Sequence, residues 1–152
     1  MKVDYFTIPE ISVSYKDNVK TSERAVIEST ADLVKILSVA FEDCMEHHEE
    51  AYALFLNSSN RVLGISCISK GGINGTVVDV RIILQTALKV SASFIFISHN
   101  HPSCSLIPSK QDLDVTNQLR KGCKAIGIEL LDHIILTSNG YMSFAEDGIL
   151  YN

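Results

Sequence analysis

Two segments of the chain carry apolar side chains at helical spacing, and these two and a third segment each follow a polar residue that suits a helix N-cap. Ser29 with Asp32 resembles a capping box, while Asp79 and Ser109 are the cap residues of the other two segments. We therefore expect three helices, the last running to about Cys123. The apolar stripes of the first two helices are Leu33, Leu37, Ala40, Phe41 and Cys44, and Val80, Ile83, Leu84, Ala87 and Leu88.

Shorter apolar runs predict strands in the rest of the chain. Residues 51–56 and 61–69 flank a polar turn, so we expect a hairpin whose apolar first arm lies inside the sheet. The three glycines of residues 71–75 predict a loop after it. Strand pairs with interspersed helices predict an α/β fold with a mixed sheet covered by helices. The other expected strands are an edge strand through Ile11, Val13 and Tyr15, then residues 94–97, 128–131, 134–137 and 140–144.

The length of the chain and its charge indicate how many domains, which partners and which location to expect. A chain of 152 residues with 46% hydrophobic content suits one compact domain over residues 1–152. With a net charge of -5, the chain lacks the excess of positive charge that is typical of nucleic-acid-binding proteins, so nucleic acid is not the expected partner. Residues 1–11 hold no apolar run, so we expect neither a signal peptide nor a membrane span and predict a cytoplasmic protein. A homo-oligomer remains open.

Four cysteines without a C-x-x-C pair predict reduced, mostly buried thiols.

The residues that suggest a chemical function lie after the strand at 94–97, on the loop that leads to the third helix. They read His99-Asn-His101-Pro102, six residues, then Ser109-Lys-Gln-Asp112. Residues i and i+2 of an extended segment point the same way, so both imidazoles are able to meet one ion. Two imidazoles and one carboxylate suit zinc, and three protein ligands leave its fourth position open, as in catalytic sites.

This stretch resembles the H-x-H-P-x6-S-x2-D signature of the JAMM (JAB/MPN) metallopeptidases. A narrower similarity to the RadC-like branch of that family extends over roughly residues 29–150, which would make 29–150 the core and 1–28 an N-terminal extension. The runs that carry it are His99-Asn-His101-Pro102-Ser103 with Pro108, Ser109, Asp112 and Thr116, then Leu131-Asp132-His133-Ile134, and finally Gly140-Tyr-Met-Ser-Phe-Ala145.

The resemblance implies a cytidine-deaminase-like three-layer α/β/α sandwich and a Zn²⁺-dependent peptidase or isopeptidase that acts on a peptide or protein. It makes His99, His101 and Asp112 the metal ligands. Ser109 would hold the oxyanion or orient the attacking water. In this family a glutamate on an upstream strand normally takes a proton from that water, and our register places Cys67 at its position.

Cys67 leaves three outcomes open. A thiol is a poor general base here, so catalytic impairment ranks first. Alternatively, another carboxylate such as Asp79, Glu49 or Glu50 replaces the glutamate, or the thiolate itself approaches the metal. Cys104 also stands where close relatives usually have glycine, so we expect either a stiffer loop or a short distance between Cys67 and Cys104.

Two other functions stay open beside a peptidase. A non-catalytic protein-binding module would keep the fold, and a DNA-repair role is suggested by the label attached to RadC-like proteins, although the acidic charge argues against it. His133 is expected to be a hydrogen-bonded core histidine and not a fourth ligand. His47 and His48 are expected on a solvated helix end, where no metal is needed to explain them.

Overall fold

The computed structural model describes Pro9, residues 11–72 and residues 75–151. Its helices are α1 Thr30–Ala40, α2 Val80–Lys89 and α3 Lys110–Ala125, with a 3-10 turn at Thr21–Glu23. Its strands are β1 Glu50–Leu56, β2 Val62–Lys70, β3 Phe94–Asn100, β4 Glu129–Thr137 and β5 Gly140–Ser143. The three predicted helices and the α/β class are confirmed.

The five strands form one mixed sheet in the order β2-β1-β3-β4-β5. β1 pairs antiparallel with β2 and with β3, β3 pairs parallel with β4, and β5 returns antiparallel beside β4. The predicted hairpin is thus confirmed, and its first arm, β1, has a strand on each side. This position explains why nearly every residue of β1 is buried.

Helices cover both faces of the sheet. α1 packs on one face through Leu33 and Leu37, in an apolar cluster that includes Leu54 of β1. α2 and α3 cover the other face through a cluster that includes Ile83 and Leu119. Because successive strand residues point to opposite faces, a strand residue meets either the α1 layer or the α2–α3 layer according to its parity.

The helix starts follow the predicted capping chemistry. The Ser29 hydroxyl oxygen accepts the N–H of Asp32 at 3.3 Å, and the Asp32 carboxylate accepts the N–H of Ser29 at 3.1 Å. At α2 the Asp79 carboxylate accepts the N–H of Arg81 at 2.9 Å. These bonds satisfy N–H groups that have no partner within the helix.

The predicted edge strand at residues 11–15 is wrong. Ile11 and Val13 are 88% and 75% exposed, and neither belongs to a strand. The Tyr15 hydroxyl donates to the carbonyl oxygen of Leu63 at 2.7 Å, but this side-chain bond does not build a ladder. Alternation over three residues is too short a pattern to fix a strand without a backbone partner.

Residues 128–131 and 134–137 were expected as two strands, and they belong to one, β4. The two polar residues between them, Asp132 and His133, are buried inside the sheet. The Asp132 carboxylate accepts the N–H groups of His133 and Ala145 at 2.7 and 2.9 Å and the hydroxyl of Ser143. Burial nevertheless raises the pKa of this carboxyl above its ordinary value.

The loop predicted at residues 71–75 falls partly outside the described residues, since 73 and 74 are not among them. Gly72 and Gly75 form an isolated antiparallel bridge across it. All four cysteines are free, and only Cys44 and Cys123 are buried, so the expectation of mostly buried thiols fails for the other two.

Within the described part of the chain, no helix combines the length and apolar character needed to cross a membrane.

Candidate metal centre

The candidate site lies where the carboxyl end of β3 meets the start of α3. His99 lies within β3, paired with Ala51 of β1 and Ile135 of β4. His101 follows the strand, and its N–H donates to the carbonyl oxygen of Leu136 at 2.9 Å, which keeps this residue extended. The predicted strand stopped at residue 97, with the chemistry on a loop, whereas the observed pairing places His99 within the sheet.

Three side chains converge at this point. Nε2 of His99 lies 2.9 Å from Nε2 of His101 and 3.3 Å from Oδ1 of Asp112. Nε2 of His101 lies 3.9 Å from Oδ2 of Asp112. A ligand atom of each residue lies within 4.8 Å of the other two. His99 is buried and the other two are half-buried, so the site opens to solvent on one side.

Asp112 is oriented by the capping box of α3. Its Oδ2 accepts the N–H of Ser109 at 2.7 Å, and the Ser109 hydroxyl oxygen accepts the N–H of Asp112 at 3.1 Å. Burial alone would raise the pKa of the Asp112 carboxyl, but its hydrogen bond with His99 and those from Ser109 hold it below its ordinary value. The carboxylate is therefore ionised, as metal ligation requires.

His133 fixes the proton position on His99. The Thr116 hydroxyl donates to the carbonyl oxygen of Asp112 at 2.6 Å, so its oxygen accepts a proton from Nδ1 of His133, also at 2.6 Å. Burial lowers the pKa of His133 well below its ordinary value, which keeps this ring neutral and its Nε2 free of a proton. That Nε2 lies 2.8 Å from Nδ1 of His99, which must donate to it. Nε2 of His99 then faces Asp112, and it is the nitrogen whose lone pair would bind a metal once its proton is lost.

His101 is oriented in the same way by a backbone oxygen. Its Nδ1 lies 2.7 Å from the carbonyl oxygen of Ser105, which can only accept, so Nδ1 carries the proton and Nε2 presents a lone pair. Nε2 of both histidines and the Asp112 carboxylate thus face one another at the distances above, so one cation could bind all three. These residues fit Zn²⁺ by donor type, by number and by the hydrogen bonds that support the histidines.

The three side chains line a cavity of about 470 Å³. Ser109 and His133 also line it, and so does Glu49, the residue before β1. The carbonyl oxygen of Glu49 accepts the N–H of Gly71 at 2.8 Å, which ties this position to the end of β2. Glu49 is therefore a carboxylate at the site, and it is one of the three alternatives that the sequence left open.

The structure does not place Cys67 at the site. Cys67 pairs with Tyr52, whose side chain packs against the α1 layer, on the face of the sheet opposite His99. A bulge between the pairs of Ala51 and Tyr52 leaves Ile68 without a partner, and it is Ile68 that lines the cavity. The expectation that Cys67 occupies the position of a catalytic glutamate, or approaches the metal, is corrected accordingly.

Two further carboxylates weighed from the sequence have other partners. Asp79 caps α2 and pairs with Arg81. Glu50 faces the α1 side, where the Tyr52 hydroxyl donates to its carboxylate.

Cys104 adopts a left-handed backbone conformation with a φ of 61°, which glycine, the residue expected in close relatives, adopts more easily. Its sulfur lies 3.4 Å from the Ser138 hydroxyl oxygen.

Comparison with known proteins places these residues among relatives. A family model described as the RadC-like JAB domain matches residues 27–149. A UPF0758 protein of Flavobacterium johnsoniae is 42% identical over 102 residues, 67% of this chain and 44% of that protein. One of Aquifex aeolicus is 37% identical over 141 residues, 93% of this chain and 58% of its own length. The chain thus spans about half the length of these curated relatives.

Proposed function

The chain belongs to the RadC-like JAB domain family, and we propose that it is a zinc-dependent peptidase or isopeptidase of the JAMM type. The observation that carries the proposal is the convergence of two imidazole nitrogens and one carboxylate at a cavity. His99, His101 and Asp112 would hold Zn²⁺, which when bound supplies a Lewis acid that polarises a carbonyl and acidifies water. We also propose that the helix-covered sheet is a cytidine-deaminase-like three-layer sandwich.

Glu49 is the residue that we assign to proton transfer. It lines the same cavity as the three ligands, and its backbone is held by Gly71. A positioned carboxylate that accepts a proton from water is a common general base, with a contribution of about 10² to 10⁴ in rate. With Glu49 in this role, the position of Cys67 gives no reason to expect catalytic impairment.

Ser109 is assigned to the substrate oxygen. Its hydroxyl oxygen already accepts the N–H of Asp112, so its hydroxyl hydrogen is the group left to donate. Ser109 lines the cavity, where such a donor would stabilise negative charge as it develops on a carbonyl oxygen.

The substrate that we propose is a peptide or a protein. The cavity is lined by apolar side chains, among them Ile68 and Val115, together with polar ones such as Gln111 and Gln118. This mixture suits an extended polypeptide better than a phosphate backbone, since the acidic lining residues would repel phosphates. Among its described lining residues, the acidic ones are Glu49, Asp112 and Asp114.

The metal is tested by elemental analysis of the purified protein after supply of Zn²⁺. We expect the wild type to hold at least one equivalent of zinc and His101→Ala to hold one equivalent less. His47→Ala is the matched control, because it removes an exposed histidine that is not one of the three ligands. A His101→Ala protein that keeps all the zinc of the wild type would refute the ligand assignment.

Activity is tested on a fluorogenic peptide library and on a lysine-linked isopeptide. Glu49→Gln should lower turnover by about 10² to 10⁴ while zinc remains bound, whereas Cys67→Ala should leave turnover unchanged. The opposite result, with turnover dependent on Cys67 alone, would overturn the base assignment. Zinc binding without any turnover in the wild type would favour the alternative of a non-catalytic protein-binding module.

A further inference from the structure

A second group of metal-ligating side chains lies on the opposite face of the sheet. Cys44, His48 and Glu50 each present a ligand atom within 4.8 Å of the other two. Cys44 and Glu50 are 2% and 5% exposed, and His48 is half-buried, so its expected position on a solvated helix end is corrected. From this geometry we propose that Cys44, His48 and Glu50 form a second metal site, suited to Zn²⁺ and independent of the first.

The spacing C-x3-H-x-E brings these ligands together within seven residues. The N–H of His48 donates to the carbonyl oxygen of Cys44 at 3.2 Å, so the segment after α1 continues as a helical turn. Residues i and i+4 of such a turn lie on the same side, which places the thiol and the imidazole next to each other. Glu50 then begins β1 and turns its carboxylate toward them.

One side chain from β3 holds this segment in place. Asn100, which lies between the two histidines of the first site, is fully buried. Its amide nitrogen donates to the carbonyl oxygens of Cys44 and His48 at 3.0 and 2.9 Å, and its amide oxygen accepts the N–H of Glu50 at 2.8 Å. All three ligand backbones are therefore fixed by the same residue, and such preorganisation favours metal binding.

The present partners of these side chains leave room for a cation. Oε1 of Glu50 accepts from Nε2 of His48 at 2.8 Å and from the exposed Lys70 at 3.3 Å, while Oε2 accepts the Tyr52 hydroxyl at 2.9 Å. A metal ion would displace the Lys70 ammonium from Oε1 and leave Tyr52 in place. The Cys44 thiol has a long contact, 3.6 Å to the carbonyl oxygen of Phe41, so ligation would displace only a weak hydrogen bond.

Binding of a metal ion at this second site would release one proton. Cys44 binds as a thiolate, and its proton is released to solvent. His48 binds through Nε2 in the tautomer whose Nδ1–H donates to Nδ1 of His47, 2.9 Å away. One sulfur, one imidazole and one carboxylate suit Zn²⁺ or Co²⁺ better than Mg²⁺ or Ca²⁺, which prefer oxygen ligands.

Titration with Co²⁺ separates the two sites, because only the second contains sulfur and can give a thiolate-to-cobalt charge-transfer band. We expect the wild type to bind two equivalents and to show the band, and Zn²⁺ to displace both. His101→Ala should bind one equivalent and keep the band. Cys44→Ser should bind one equivalent and lose it, whereas Cys123→Ser, at another buried thiol, should keep it.

His48→Gln keeps a donor to Glu50 and guards against misfolding of the Cys44 variant. It should weaken the binding of the cobalt that gives the band by at least about tenfold, whereas His101→Ala, which removes a histidine of the first site, should leave that affinity unchanged. A band that persists in folded Cys44→Ser, or a wild type that binds one equivalent without the band, would overturn the second site and leave the proposed function intact. Loss of the other equivalent alone would overturn the proposed function instead.

Discussion

Two helices of this protein begin with the same four-residue motif, and only one of these starts belongs to the candidate metal centre. Ser29 and Asp32 open α1, and Ser109 and Asp112 open α3. In both, the serine oxygen accepts the N–H of the aspartate, and the aspartate carboxylate accepts the N–H of the serine. The local chemistry of the two starts is therefore the same.

The surroundings of the two carboxylates differ. The Asp32 side chain is 36% exposed, and the Ser29 hydroxyl and the Glu28 N–H lower its pKa. The Asp112 side chain is only 15% exposed and faces His99 and His101, which β3 and the residue after it bring to the start of α3. A Ser-x-x-Asp helix start thus supplies an oriented carboxylate, and the sheet edge opposite decides whether that carboxylate can meet a metal.

The largest difference between the two starts should appear in metal binding. Asp112→Asn removes a charged ligand but keeps an oxygen that can accept the Ser109 N–H, so we expect zinc at this site to be lost with the helix intact. Asp32→Asn is the matched control and should bind zinc as the wild type does. Isothermal titration with Zn²⁺ on both variants measures this. Equal zinc affinities in the two variants would show that Asp112 is not a ligand.

The two serines should separate stability from turnover. Ser29→Ala and Ser109→Ala each remove a cap, so each should lower the free energy of unfolding by about 1 kcal/mol. Only Ser109→Ala should also lower turnover, by about 10² to 10³, because only its hydroxyl lines the cavity. Urea denaturation and the peptidase assay measure the two effects. Unchanged turnover in Ser109→Ala would show that this serine acts only as a helix cap.

The sequence predicted the fold where a pattern reports on local geometry. The apolar stripes after Ser29 and Asp79 and the helix start expected at Ser109 located all three helices, because helical periodicity and capping act within a few residues. β4 was split because Asp132 and His133 interrupt its apolar run. Their partners lie far away in the chain, and no local signal shows that these polar groups are satisfied inside the sheet.

The three side chains that converge at the candidate site were all predicted from the sequence, whereas the carboxylate that we propose as the base was only one of several alternatives. His99 and His101 are two residues apart, and this spacing places both side chains on one side of an extended segment. Cys67 was assigned to the wrong face, since one unpaired residue in β2 reverses which side chains point into the cavity. Glu49 could have been found from parity alone: it shares its face with Ala51, which pairs with His99.

The next prediction concerns His133, which supports the candidate metal centre and has no counterpart at the start of α1. His133→Phe preserves the stacking on Phe144 but removes the acceptor that holds the Nδ1–H of His99. We expect zinc affinity at the first site to fall by about ten- to a hundredfold. A competition titration with a zinc chelator measures it, and the same titration on Phe144→Leu controls for packing. Wild-type affinity in His133→Phe would show that His99 is oriented without this bond.

The smallest predicted effect concerns the loop that leads to α3. Cys104 is held at a φ of 61°, whereas the residue that opens α1, Ser29, is extended with a φ of -149°. A non-glycine residue in the left-handed region costs about 1 kcal/mol, so Cys104→Gly should raise the free energy of unfolding by up to about that amount. Ser103→Gly next to it should bring no such gain, and urea denaturation compares the two. If Cys104→Gly also brings no gain in the free energy of unfolding, the contact of the thiol with Ser138 outweighs the backbone strain. The loop before α3 is then held by its side chains.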